Sequence, residues 1–157
     1  MLDLRRVCVD DCRMLWEWAN DSETRAASFS TSPIPWGNHV EWFKSKRSDP
    51  NCFFYIALDN DKTPVGQVRL DVKGNEAVIS VSLDPRCRGK GYGSTVIRLA
   101  SRDVFACSDV TVIHAYIKAG NDASARAFEK AGFRKIGTAI ISGHEANDFV
   151  LEKDILA

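Results

Sequence analysis

A glycine-rich stretch past the middle of the chain constrains the fold more than any other feature. Residues 84–93 read Asp-Pro-Arg-Cys-Arg-Gly-Lys-Gly-Tyr-Gly and join an apolar, strand-like run at 77–83 to a helix-like segment at 94–107. Alternate glycines let the backbone approach a ligand closely, and N–H groups at a helix N-terminus favour negative charge. The surrounding cations are Arg86, Arg88 and Lys90. The stretch predicts a pyrophosphate-type anion site, with a plain tight turn as the alternative.

The spacing of this loop excludes two familiar phosphate-binding motifs. A P-loop requires Gly-Lys followed by Ser or Thr, whereas Lys90 is followed by Gly91. A dinucleotide-binding loop requires Gly-x-Gly-x-x-Gly in a first β-α-β unit, and these glycines have a different period and position. The loop is therefore neither a nucleotide-triphosphate site nor a Rossmann site.

The rest of the chain predicts an α/β protein, and 157 residues that are 45% apolar suit one domain covering 1–157. Strands are predicted at 2–7, 53–58, 65–72, 77–83, 110–117, 133–141 and 147–153, and helices at 10–20, 36–46, 94–107 and 122–131. Residues 20–35 have no clear period and are predicted to form a loop. Short turns between the three central strands predict an antiparallel meander, and the strand–helix–strand order after it predicts a parallel pair.

Charge and cysteine content limit the kinds of binding partner that the sequence favours. The 21 basic and 21 acidic residues cancel, so neither nucleic acid nor an acidic membrane surface is favoured. The five cysteines form no Cys-x-x-Cys pair, which suits reduced thiols and no metal site. No secretory segment is evident at the N-terminus. We expect a cytoplasmic protein, monomeric or homodimeric.

Two motifs give the chain a family resemblance. Residues 88–93, Arg-Gly-Lys-Gly-Tyr-Gly, resemble the Gln/Arg-x-x-Gly-x-Gly/Ala signature of the GNAT superfamily of N-acetyltransferases; an overlapping frame begins at Arg86. Residues 121–133, Asn-x-x-Ser-x-x-x-Phe-Glu-Lys-x-Gly-Phe, resemble the second signature of that family. The resemblance implies a mixed central sheet of about seven strands with four helices. It also implies that the parallel pair is splayed at the cofactor site.

The resemblance further implies acetyl-coenzyme A as co-substrate. Arg88 and the loop would hold its pyrophosphate, the end of the preceding strand would pair with the pantetheine arm, and Asn121 would hydrogen-bond that arm. The implied cofactor residues are Val81, Ser82, Leu83, Arg88, Gly89, Lys90, Gly91, Tyr92, Gly93, Ser94 and Asn121.

The catalytic residues implied by the resemblance are less complete. Many members carry a Tyr acid where this chain has Phe128, whereas a ribosomal-protein branch uses a Ser at the position of Ser124. We expect Ser124 to protonate the leaving thiolate, with a capping role as the alternative. The base stays open among His39, His114 and a water, because Glu76 lies one residue before the position where many relatives carry Glu.

The N-terminal part resembles acetyltransferases of pseudaminic-acid-type pathways, which act on an amino sugar linked to a nucleotide. Trp36, Val40 and Phe43 form the predicted apolar stripe of one helix. The implied acceptor-binding residues are Arg25, Phe29, His39 and Trp42. An acetyltransferase for protein N-termini or ribosomal proteins, and a non-enzymatic acetyl-coenzyme A-binding module, are the alternatives.

Overall fold

A computed structural model describes residues 1–154, and over this range the chain forms seven strands and five α-helices. The strands are β1 (Asp3–Arg6), β2 (Cys52–Leu58), β3 (Pro64–Lys73), β4 (Glu76–Leu83), β5 (Val112–Lys118), β6 (Arg134–Ile141) and β7 (His144–Glu152). The helices are α1 (Cys12–Ala19), α2 (Ser22–Ala27), α3 (Trp36–Ser48), α4 (Tyr92–Cys107) and α5 (Asp122–Lys130). The predicted strand set is confirmed, with shifts of a few residues at the ends.

All seven strands join in one mixed sheet across the described residues 1–154, in the order β1-β2-β3-β4-β5-β7-β6. Strands β1 to β4 form the predicted antiparallel meander, and β4 and β5 form the parallel pair connected by α4. The hairpin of β6 and β7 turns at Ser142 and Gly143, whose φ angles of 48° and 80° suit a two-residue turn. The predicted fold class is thus confirmed.

The parallel pair is short, and this shapes the centre of the sheet. Strand β4 pairs with β5 only at Glu76–Val112, Ala77–Ile113 and Val78–His114. Beyond these pairs, β4 continues to Leu83 beside β3, while β5 continues to Lys118 beside β7. The two strands therefore separate toward their C-terminal ends and leave a gap in the middle of the sheet.

Each face of the sheet has its own apolar core. On one face, Val96, Ile97 and Val104 of α4 pack with Phe128 of α5 against residues such as Leu70. On the other face, α1 and α3 cover β2 through a smaller cluster: Leu15, Trp18, Phe43, Cys52, Phe54 and Ile56. The cluster under α1 and α3 contains no residue of β5. The same face of the sheet is therefore available to ligands beside β5.

Two expectations for the N-terminal region are wrong. The segment at 20–35 contains the helix α2, which buries no residue and so has no apolar period to reveal it. The buried face of α3 carries His39 and Phe43, whereas Trp36 is 45% exposed and Val40 is half-buried. The helix is thus turned so that His39, rather than Trp36, points into the protein. Among residues 1–154, no helix has the length and apolar character needed to cross a bilayer.

Candidate active site at the splayed strands

The loop after β4 is fixed by one buried carboxylate. Asp84 is 4% exposed and accepts hydrogen bonds from the backbone N–H of Arg86 at 2.9 Å and from the indole of Trp18 at 3.0 Å. The Arg86 guanidinium binds the same carboxylate at 2.8 Å and, with the two N–H donors, holds the pKa of Asp84 well below its usual value despite burial. Arg86 is therefore engaged in loop structure.

Two glycines shape the entrance to α4. Gly89 and Gly91 have φ angles of 76° and 78°, in the left-handed region that other residues adopt at a cost. Gly91 is the N-cap of α4 and provides no side-chain acceptor for the first N–H groups of the helix. A Cβ built on either glycine meets nothing within 4 Å, so the space in front of the helix N-terminus is open. This geometry suits an anion.

The loop cations differ in their surroundings. Arg88 donates to Asp21 at 2.6 Å and to the Thr24 hydroxyl at 3.1 Å, and it forms an ion pair with Glu23 at 2.8 Å. Arg88 thus ties the loop to the start of α2, and it lowers the pKa of Asp21. Lys90 lies on the other side of the loop and lines a separate cavity of about 400 Å³.

The gap between β4 and β5 opens into a cleft of about 1150 Å³. Its walls are formed by the end of β4 and the loop after it, the end of β5, the first turns of α4, helix α5 and the segment at 23–29. It brings together all of the expected cofactor residues except Lys90: Val81, Ser82, Leu83, Arg88, Gly89, Gly91, Tyr92, Gly93, Ser94 and Asn121. Residues separated by up to 40 positions therefore face one cavity.

The start of α5 contributes a side-chain cap. Asn121 accepts a hydrogen bond from the backbone N–H of Ser124 through Oδ1 at 3.3 Å, which leaves its amide group free to donate elsewhere. Ser124 and Phe128 line the cleft. Phe128 is 3% exposed and packs edge-on against Phe133, with the ring centroids 5.1 Å apart. Of these two residues only Ser124 carries a proton donor.

A cluster of titratable groups lies next to the cleft. His114 shares its ring nitrogens with Asp148 at 2.9 Å and Glu76 at 3.1 Å, and its ring stacks on Tyr116. Burial lowers the pKa of His114, but the two carboxylates outweigh it and the net pKa is raised. Tyr116 lines the cleft. No local pattern in the sequence points to Asp148, because it is 34 residues from His114 and meets it only through the sheet.

The structure does not support His39 as a catalytic or acceptor-binding residue. Its side chain is buried, and Nε2 donates to the carbonyl of Cys12 at 2.8 Å. Aromatic rings of Trp36, Trp42 and Phe43 surround it. Burial lowers the pKa of His39 in spite of the hydrogen bond to the carbonyl, and the lowered pKa favours the neutral ring. Its place is in the packing of α1 against α3, away from the cleft.

The side chains of Arg25 and Trp42 are also engaged in contacts within the protein. The guanidinium of Arg25 donates to the carbonyls of Ala19 at 2.6 Å and Ser30 at 2.9 Å, and so closes the segment around α2. Trp42 contacts the Arg69 guanidinium at 5.0 Å. Neither residue lines the cleft, whereas Phe29 does. Of the four expected acceptor residues, only Phe29 therefore faces the cavity.

Comparison with known proteins identifies relatives of this arrangement. A family model described as an acetyltransferase (GNAT) domain matches residues 1–134. A putative phosphinothricin acetyltransferase of Bacillus subtilis (strain 168) is 27% identical over 121 residues, which cover 73% of this chain and 72% of that protein. The family-model match extends over the loop and the cleft-lining residues.

Solved structures share the fold at lower sequence identity. A spermidine N-acetyltransferase of Vibrio cholerae, bound to coenzyme A and spermine, superposes with a TM-score of 0.86 at 20% identity, covering 96% of this chain and 95% of that one. An aminoglycoside acetyltransferase bound to coenzyme A and kanamycin gives a TM-score of 0.85 at 24% identity, covering 98% and 95%. Within residues 1–154, no cluster of His, Cys, Asp and Glu is arranged to hold a metal ion.

Proposed function

The chain belongs to the GNAT acetyltransferase family, and from that premise we propose that it acetylates the primary amine of a small molecule, with a nucleotide-linked amino sugar as the first candidate. It is an acetyl-CoA-dependent N-acetyltransferase. The observation that carries the proposal is the cleft. It joins the N-terminus of α4, which suits an anion, to the edge of β4 that β5 leaves unpaired. Residues from both faces of β5 line it.

The residues of the cleft fit the co-substrate. The N–H groups in the first turn of α4, which begins at Tyr92, suit the pyrophosphate, because Gly91 gives them no side-chain partner. The unpaired edge of β4 at 79–83 suits the amide-bearing pantetheine arm, which would pair with it as an added strand. The Asn121 amide, with its oxygen already used as a helix cap, suits a carbonyl of the same arm.

Ser124 is the proposed general acid. Its position in the first turn of α5 and on the cleft wall supports donation of a proton to the leaving thiolate. Phe128 lies on the same wall and has no proton to donate, and Tyr116 is another cleft residue with a hydroxyl. Backbone N–H groups at the end of β4 are the proposed donors to the developing oxyanion.

Removal of the amine proton is assigned to water. Glu76 and Asp148 are both engaged by His114. None of these three residues lines the cleft. A water between the acceptor nitrogen and this cluster could pass the proton toward Glu76, whose side chain is 58% exposed.

The amino-sugar assignment has narrower support. It rests on the resemblance of the N-terminal segment and on Phe29, whose ring lies on the cleft wall and could cover a sugar face. The relatives in solved complexes hold polyamines or aminoglycosides, so the acceptor itself has to be found by assay.

The test measures cofactor binding and acetyl transfer separately. Acetyl-CoA is expected to raise the melting temperature, because it binds the folded state. Release of free thiol is then followed with a nucleotide-linked amino sugar, the same sugar without nucleotide, and peptides with free N-termini. Faster turnover of the nucleotide-linked sugar supports the proposal. Turnover of peptides alone would make the protein an N-terminal acetyltransferase, and the absence of any thermal shift or thiol release would refute acetyl transfer.

A further inference from the structure

The acceptor side of the cleft can be identified from the alternation of β5. Ile113, Ala115 and Ile117 belong to the core that packs on α4, so the side chains that alternate with them point to the opposite face of the sheet. Tyr116 and Lys118 are on this opposite face, and both line the cleft. The anion-binding loop begins α4 on the first face. An acceptor that meets the co-substrate across the gap therefore arrives on the side of Tyr116 and Lys118.

Lys118 is the cation on this side. Its ammonium donates to the carbonyls of Ala26 at 3.1 Å and Ser28 at 3.3 Å, which end the segment containing α2. Within residues 1–154 it forms no ion pair with a carboxylate. An ammonium has three donors, and two carbonyls leave both a donor and the full positive charge available. Phe29 lies next to these carbonyls on the same wall.

Carboxylates on the Lys118 side already accept from cationic or imidazole side chains. Asp21 and Glu23 share Arg88, and Glu76 and Asp148 share His114. Farther along the same face, Asp71 pairs with Lys46 at 2.8 Å. A substrate with several ammonium groups would have to compete with these contacts on this side, and the like charge of Lys118 would repel it.

We propose that the acceptor carries an anionic group, a carboxylate or a phosphate, and that Lys118 binds it while the amine faces the thioester. The inference rests on the proposed acetyl transfer and specifies its substrate class. It separates this protein from its structural neighbours bound to spermine and kanamycin, although the fold is shared. Selectivity then comes from one attractive contact for the anion and from repulsion of polycations.

The test compares acceptors in matched pairs. Glucosamine 6-phosphate is set against glucosamine, and alanine against alaninamide, with spermidine and kanamycin as polycations. A charge-assisted contact is typically worth about ten- to hundredfold in affinity, so an anionic acceptor should exceed its neutral partner in kcat/KM by roughly that factor. The phosphate and carboxylate pairs show which acid is preferred.

Variants of Lys118 assign the effect to the charge. Lys118→Gln keeps a donor for the carbonyls of α2 but removes the charge, and it should abolish the preference within a pair through KM while the Kd for acetyl-CoA is unchanged. Lys118→Arg should retain most of the preference and guards against a merely structural loss. Lys73→Gln, an exposed site at the far end of β3, is the control.

The outcomes distinguish failure of the anionic-acceptor inference from failure of the proposed acetyl transfer. A preference for the anionic member that Lys118→Gln removes supports the inference. Faster acetylation of spermidine or kanamycin, or a preference that survives in Lys118→Gln, overturns it and leaves acetyl transfer intact. If a protein that binds acetyl-CoA acetylates neither these acceptors nor the nucleotide-linked amino sugar, both the inference and the proposed function fail.

Discussion

Replacing Gly91 by alanine should have two effects that can be measured separately: backbone strain that lowers the stability of the free protein, and weaker binding of acetyl-CoA at the loop. Gly91 has a φ of 78°, and an added Cβ meets nothing within 4 Å. The cost to the free protein is therefore backbone strain alone, about 1–2 kcal/mol for a non-glycine residue in the left-handed region. In a domain of this size that lowers the melting temperature by about 2–8 °C.

Gly74 provides the matched control. It lies in the turn between β3 and β4, has a φ of 64°, and also leaves a Cβ in open space. Gly74→Ala should thus cost a similar 1–2 kcal/mol by the same strain. The turn lies before β4, whereas the loop follows it, so the two glycines stand at opposite ends of one strand. Only Gly91 faces the cleft.

Thermal shift with acetyl-CoA distinguishes the two variants. At 100 times the Kd, a ligand stabilises the folded state by about 2.7 kcal/mol, which corresponds to about 5–11 °C. Gly74→Ala should keep this shift. A methyl group at residue 91 that weakens binding tenfold would halve it, leaving about 1.4 kcal/mol, or about 3–6 °C. Equal shifts for the two variants would refute the assignment of the pyrophosphate to this loop.

Three further outcomes are expected. Ser124→Ala should lower kcat by about 10²–10⁴-fold with little change in the Kd for acetyl-CoA, and a loss of only a few-fold would remove Ser124 as general acid. His114 has a raised pKa in the folded state, so its contribution to stability is complete below its ordinary value of 6.5 and is lost as pH rises through the folded pKa. The melting temperature of His114→Asn should accordingly fall below that of the parent by more at about pH 6 than at about pH 9. A difference that does not depend on pH would contradict stabilisation of the charged imidazole by the two carboxylates. Gly66→Ala would bring a Cβ to 2.7 Å from the Ser82 carbonyl oxygen, so the variant should lose about 1–3 kcal/mol of folding stability. Because this contact lies at the end of β4, the variant should also bind acetyl-CoA more weakly in a titration. Unchanged binding would show that the end of β4 plays no part in binding the co-substrate.

The cofactor side of the site could be predicted from sequence because its signals are local. The glycine period at 89–93 and the Asn cap at 121 each act within one turn of a helix, so neighbouring residues contain the information. The loop geometry and the splay of the parallel pair agree with that prediction. Which residues hold acetyl-CoA stays a prediction, and the variants above test it.

The acceptor side could not be predicted in the same way. Helix α2 buries no residue, and its one local signal was the cap at Asp21, which accepts from the N–H of Thr24 at 3.2 Å. The ion pair that anchors it comes from Arg88, 67 residues away. The predicted apolar stripe of α3 was wrong to include Trp36, because its position at the helix start leaves it exposed, whereas His39 is buried. Long-range contacts of this kind have no counterpart in a sequence pattern.

The separation of β4 from β5 places a strand edge inside the sheet instead of at its rim. Exposed edges are normally a hazard, since their free N–H and C=O groups can pair with another protein molecule and start aggregation. Here the edge at 79–83 lines a cleft together with α4 and α5, so these helices stand where a second sheet would have to approach. The chain can therefore keep an unpaired strand edge available to a thin, flexible ligand. Because main-chain atoms form that edge, its capacity to pair does not depend on which side chains the strand carries.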